Sequence, residues 1–130
     1  MKDASQAFNQ LLQIMDELRE KCPWDKNQTI QSLRNLTIEE TYELTEAIDK
    51  KDWKNIKEEL GDVLLHIVFY TRIAKEEKQF TINDVIQTLC DKLIHRHPHI
   101  YSNVKAETEE EVKHNWEKLK LKEGKTSILS

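Results

Sequence analysis

The chain has 130 residues, with 20 basic and 24 acidic side chains and a formal net charge of −4. That length suits one domain with a modest core, and the interspersed signs offer no broad cationic face for nucleic acid. Two cysteines without CxxC spacing, an N-terminus (MKDASQAF) unlike a signal peptide, and a longest apolar run (Val63 to Tyr70) far short of the roughly 20 residues that span a bilayer point to a reduced cytoplasm and exclude a membrane span.

Two glycines and two prolines among abundant Leu, Ile, Glu and Lys favour helix nearly everywhere, so an all-α bundle of four to five helices is expected. From Ala4 to about Glu20, Ala7, Phe8, Leu11, Leu12, Ile14, Met15 and Leu18 recur at amphipathic-helix spacing. Pro23 stops that helix, and the loop CPWDKNQ follows. Asp25 and Gln28 have capping-box spacing for a short turn through Ile30 and Leu33. A second helix is expected to start near Thr37, capped by its hydroxyl, and to reach about Lys50. Asp52 then caps a long helix from Trp53 to about Glu77. After a turn at Lys78 to Phe80, Thr81 and Asp84 begin a helix carrying Val85, Ile86, Leu89, Leu93 and Ile94, which ends before Pro98. A polar loop leads to a capping box at Thr108 and Glu111 and a last charged helix to Leu121. The domain is expected over 1–122, with 123–130 a flexible tail.

The acidic residues on the two middle helices are unevenly placed. At about 100° per residue, the apolar arc of the second helix runs through Ala47, Leu44, Ile48, Ile38 and Tyr42. Glu40 falls inside that arc and Glu43 at its edge, whereas Glu39 and Glu46 lie on the polar side. The third helix is apolar almost all round from Leu60 to Ala74, as expected of a helix buried on every side, yet Glu59 and Asp62 share one of its faces with His66, Val63, Tyr70 and Ile73. Buried carboxylates need a cation or a partner. If the helices pack antiparallel through the short DKKD connection, ExxE and ExxD face one another as an all-oxygen site suited to a hard divalent ion such as Mg²⁺, which keeps positions open for water and phosphate. Two plainer explanations stand beside this: Glu40 also completes a capping box with Thr37, and Glu58 and Glu59 could pair with Lys54 or Lys57 on a solvated face. A di-iron bundle is disfavoured because no ExxH exists.

The ordered motifs EExxE (Glu39, Glu40, Glu43), ELGD (Glu59 to Asp62), CPWD (Cys22 to Asp25), KLIHRHPH (Lys92 to His99) and WEKLK (Trp116 to Lys120) strongly resemble the MazG-type nucleoside triphosphate pyrophosphohydrolases over nearly the whole chain. The resemblance implies an all-α pyrophosphatase fold completed as a homodimer or dimer of dimers. It also implies Mg²⁺-dependent hydrolysis of nucleoside triphosphates to monophosphate and pyrophosphate, with Mn²⁺ able to stand in, as nucleotide-pool housecleaning. Residue by residue, Glu40, Glu43, Glu59 and Asp62 match the metal ligands, and Lys92, Arg96, Trp116 and Lys120 match positions that bind the nucleotide. Glu39 is expected to support the ligands or to order the attacking water.

The same residues admit plainer roles. Lys92 and Arg96 lie i, i+4 on one face and can reach a polyphosphate, but cations near a helix C-terminus also complement its dipole. Trp116 can stack on a base or simply pack. The alternating His95, His97 and His99 suggest zinc, against which Pro98 and the lack of a suitably spaced cysteine argue. His95 stands where the family commonly has a second arginine, which leaves the phosphate face one fixed charge weaker at neutral pH. Members with CPWD and RHPH often carry two such domains, and copies can differ in activity. A non-catalytic nucleotide-binding or dimerisation module is therefore the competing expectation, and a purely structural bundle the third.

Overall fold

The structure, a computed structural model, describes residues 1–124. It is all-α, with seven helices among the described residues. The chain divides into two compact units, Met1–Ile82 and a second that begins at Asn83.

In the first unit, α1 (Ala4–Lys21) opens on a capping box: Asp3 accepts from the Gln6 backbone at 2.9 Å, and the Gln6 side chain accepts from Asp3 at 3.0 Å. Pro23 then starts the one-turn α2 (Pro23–Asn27), since a first-turn proline forfeits no helical hydrogen bond. Two long helices follow, α3 (Ile30–Asp49) and α4 (Trp53–Glu76). Between them, Lys51 takes a left-handed φ of 53°, and Asp52 caps α4 by accepting from the Asn55 backbone at 3.3 Å.

The expected helix start at Thr37 is wrong, because α3 begins two turns earlier. Thr29 is its cap, accepting from the Ser32 backbone at 3.0 Å while Ser32 Oγ accepts from Thr29 N at 2.8 Å. Ser32 does here what Glu or Gln does in the usual capping box, so the signal is easily overlooked. Asp25 does not cap; it lies inside α2.

Met15 of α1, Leu33 of α3 and Val68, Phe69 and Ile73 of α4 form the buried core, with Phe8, Leu11, Leu12, Leu36, Leu65 and Tyr70 packed against it. Arg19 ties three helices together around this core. Its Nη1 lies 2.7, 3.0 and 2.8 Å from the carbonyls of Asp25, Lys26 and Gln28, while Nε and Nη2 donate to Glu76 at 2.7 and 3.0 Å. Trp24 meets Phe69 edge-on at 6.5 Å. The CPWD segment is thereby given a structural role, as the lid that Arg19 and Trp24 fasten over the core.

Contrary to expectation, α4 is not buried on every side by the helices of the first unit. Contacts with α1 reach the C-terminal half, where Arg72 pairs with Asp16 and Glu76 with Arg19. Farther toward the N-terminus Leu60, Leu64 and Ile67 stay 52, 39 and 42% exposed.

The second unit contains most of α5 (Ile82–Arg96), then α6 (Pro98–Tyr101) and α7 (Glu109–Lys122). The short α6 replaces part of the expected polar loop, again because Pro98 suits a first helical turn. Thr108 caps α7, accepting from the Glu111 backbone at 3.2 Å, while Glu111 accepts from Glu107 N at 3.1 Å. The tail expected over 123–130 lies, from Lys125 on, outside the described residues. Among the described residues no helix is long and apolar enough to cross a membrane.

Candidate metal centre

Helices α3 and α4 run antiparallel: Thr37 faces His66 and Tyr70, and one to two turns later Glu40 and Glu43 face Glu59. This brings one oxygen from each of Glu40, Glu43 and Glu59 within 4.8 Å of one another. No other grouping of three or more His, Cys, Asp or Glu of this kind occurs among the described residues. Asp62 lies outside this tight group, but its charge acts on Glu40, Glu59 and His66. Glu39 is exposed, as Glu43 is, and is not part of this tight group.

Because α3 is continuous from Ile30, Glu40 stands mid-helix and the capping-box explanation for it falls away. The lysine pairing considered for Glu59 also fails, since none of Glu40, Glu43, Glu59 and Asp62 forms a salt bridge among the described residues. Among the described residues Glu40 Oε2 and Glu59 Oε2 are covered and receive no hydrogen bond beyond the one the two carboxyls share when one of them keeps a proton. Burial, reinforced by the charges of Asp62, Glu43 and Glu59, pushes Glu40 from 4.5 up to about 7. Burial likewise raises Glu59, with Glu43 and Asp62 adding to the effect. Such a cluster has two ways to relieve its repulsion, a retained proton or a bound cation.

A divalent ion fits the donor set. One oxygen from each of the three residues lies within 4.8 Å of the others, and hard carboxylate oxygens are the ligands Mg²⁺ prefers. The two covered oxygens supply the independent sign that a cation is wanted there.

Behind the carboxylates is a polar network that the sequence does not reveal. The Thr37 hydroxyl lies 3.0 Å from the Leu33 carbonyl and 2.6 Å from His66 Nδ1, and it also bonds the Tyr70 hydroxyl. The Thr37 hydroxyl joins the three groups, and the tautomer of the His66 ring decides which of Thr37 and Nδ1 donates. Burial lowers the His66 pKa against the opposing pull of Asp62, which favours the neutral ring. The only hint in the sequence is the i, i+4 spacing of His66 and Tyr70 on the acidic face.

The other expected site residues belong to the second unit. Lys92 and Arg96 lie one turn apart on α5, and Trp116 and Lys120 one turn apart on α7. Arg96 and Lys120 are buried, and Arg96 Nη2 donates to Glu123 at 3.0 Å. Trp116 meets the His97 ring edge-on at 5.3 Å and borders a cavity of about 440 Å³ shared with His99, Val112 and the start of α7.

Comparison with known proteins agrees with the fold and with the family resemblance. Residues 28–101 match the model of the MazG nucleotide pyrophosphohydrolase domain, a stretch that holds every carboxylate of the cluster. The chain is 49% identical over 125 residues to a nucleoside triphosphate pyrophosphohydrolase/pyrophosphatase MazG of Thermotoga maritima, covering 95% of this chain and 48% of that protein. It is 43% identical to a nucleoside triphosphate pyrophosphohydrolase of Escherichia coli K12, covering 89% of this chain and 45% of the relative. It is also 48% identical to the Bacillus subtilis protein YabN, covering 95% of this chain and 26% of the relative. The chain thus spans half or less of the length of each of these relatives. A crystal structure of a MazG-related protein from Thermotoga maritima superposes with a TM-score of 0.75 at 28% identity, covering 87% of this chain and 98% of that one. The chain belongs to the MazG nucleotide pyrophosphohydrolase domain family.

Proposed function

We propose that this chain hydrolyses nucleoside triphosphates to monophosphate and pyrophosphate with Mg²⁺ as cofactor, Mn²⁺ being able to replace it, and so serves in clearing the nucleotide pool. The observation that carries this reading is the gathering of Glu40, Glu43 and Glu59 with two covered oxygens among them, inside a domain of this family. The two relatives named as nucleoside triphosphate pyrophosphohydrolases support the reaction type.

Glu40, Glu43 and Glu59 would hold the cation, and Asp62 would complete its shell or bond its water. When bound, the ion supplies neutralisation of phosphate charge and a more acidic water. Glu39, next to Glu40 on α3, would support the ligands or order the attacking water. Lys92, Arg96 and Lys120 bind phosphate oxygens, arginine through its planar fork, while Trp116 offers its ring to the base or sugar. His66, neutral and bonded to Thr37, holds the wall behind Asp62 without adding charge. The working unit is a homodimer or a dimer of dimers in the cytoplasm. Its support is the uncovered row Leu60, Leu64 and Ile67 on α4, with Ile38 and Tyr42 exposed on α3.

Glu59→Gln and Asp62→Asn keep the shape of each side chain and remove its charge. Pyrophosphate release should fall at least about 100-fold in both while circular dichroism stays unchanged. Undiminished release would remove these residues from the mechanism.

A further inference from the structure

We propose that Glu123 is a positioning residue for Arg96, holding the guanidinium in the orientation in which it receives a phosphate; this rests on the reading of Arg96 as a phosphate ligand. Arg96 closes α5, and its side chain is only 9% exposed. Glu123, just past the end of α7, turns one carboxylate toward two successive residues of α5: Oε1 lies 3.0 Å from Arg96 Nη2 and Oε2 3.7 Å from His95 Nε2.

Its own backbone is well anchored, since Glu123 N–H points to the Leu119 and Lys120 carbonyls at 3.0 and 3.1 Å. The carboxylate therefore stands on a fixed helix end. An arginine side chain has several rotatable bonds, and a charge-assisted hydrogen bond to a fixed acceptor sets the plane of its fork. A guanidinium this well covered is unfavourable without such an anion nearby. Glu123, the C-cap of α7, also follows Lys120 by three residues, so the carboxylate that holds one proposed phosphate ligand is about one turn from another.

The test uses the whole chain with Mg²⁺, measuring steady-state kinetics on a nucleoside triphosphate and calorimetric binding of a nonhydrolysable triphosphate. Glu123→Gln should raise KM and the dissociation constant about tenfold while kcat stays within about twofold, because an orienting contact is lost and the reacting groups are untouched. In an Arg96→Ala background the same substitution should change neither, since coupled residues are not additive. Unchanged or tighter binding in Glu123→Gln, or an equal penalty in both backgrounds, would overturn the proposal. Wild-type binding in Arg96→Ala alone would instead overturn the phosphate role of Arg96, and the proposal with it. Should Glu123→Gln not fold, Glu123→Asp keeps the charge and shortens its reach; weaker binding that depends on Arg96 supports the proposal, and unchanged binding overturns it.

Discussion

Glu40 keeps its proton in the folded chain to a pH at which the unfolded chain has already released it. Its folded pKa of about 7 stands against an ordinary 4.5, so across that window the folded state binds more protons than the unfolded state. The metal-free protein should therefore lose stability as pH rises from about 4.5 to about 7 and then level off. A divalent ion displaces the proton and reverses the penalty, so Mg²⁺ should raise the melting temperature more near pH 8 than near pH 5. Thermal unfolding over pH with Mg²⁺ or with chelator checks this, and Glu40→Gln should flatten most of the slope. At this scale much of the carboxylate cluster is legible in the sequence: helical spacing alone sets Glu40, Glu43 and Glu59, which the structure gathers, apart from Glu46 and Glu58, while it cannot tell that Asp62 stays outside the tight group. Thr37 is not legible in the same way, because a hydroxyl can cap a helix or bond back to the carbonyl four residues earlier, and only the partners on α4 decide which.

Among the elements, helix α4 matches its expected bounds nearly to the residue, because Asp52 is an ordinary cap and the apolar run is long. Helix α3 exceeds its expected length because its real cap pairs Thr29 with a serine, and α6 escapes sequence reading because four residues carry no periodicity. The ion pair of Arg19 has no local signal, as its partner Glu76 lies 57 residues away. Arg19→Met should cost about 2–4 kcal/mol in urea denaturation, since three carbonyls and a carboxylate lose one donor group, and Arg19→Lys should recover little because an ammonium lacks the fork. The Arg19 hydrogen bond is also the main cause of a lowered pKa at Glu76. The stability it contributes is present above the unfolded pKa and fades as pH falls through the folded one, so the penalty of Arg19→Met should shrink in acid.

For the whole molecule, the row Leu60, Leu64 and Ile67 on α4 is the apolar surface that the first unit leaves exposed. Gly61 lies in that region, and a Cβ added there would meet nothing within 4 Å in this chain. In a dilute monomer Gly61→Ala should then stabilise the helix by about 0.5–1 kcal/mol. If a second copy closes against this face, the same change should weaken association in sedimentation equilibrium, and both readings come from one concentration series. The all-round apolar pattern of α4 suggests such a surface, but periodicity cannot say which half α1 covers, since that depends on packing between distant segments. The central claim is that the α3–α4 carboxylates serve a metal-dependent cleavage of nucleoside triphosphate into monophosphate and pyrophosphate. Phosphorus NMR of the products formed by this chain with Mg²⁺, and again with excess chelator, tests it most directly. The account predicts equal amounts of monophosphate and pyrophosphate, lost with chelator; diphosphate and orthophosphate, or turnover that persists without metal, would contradict it.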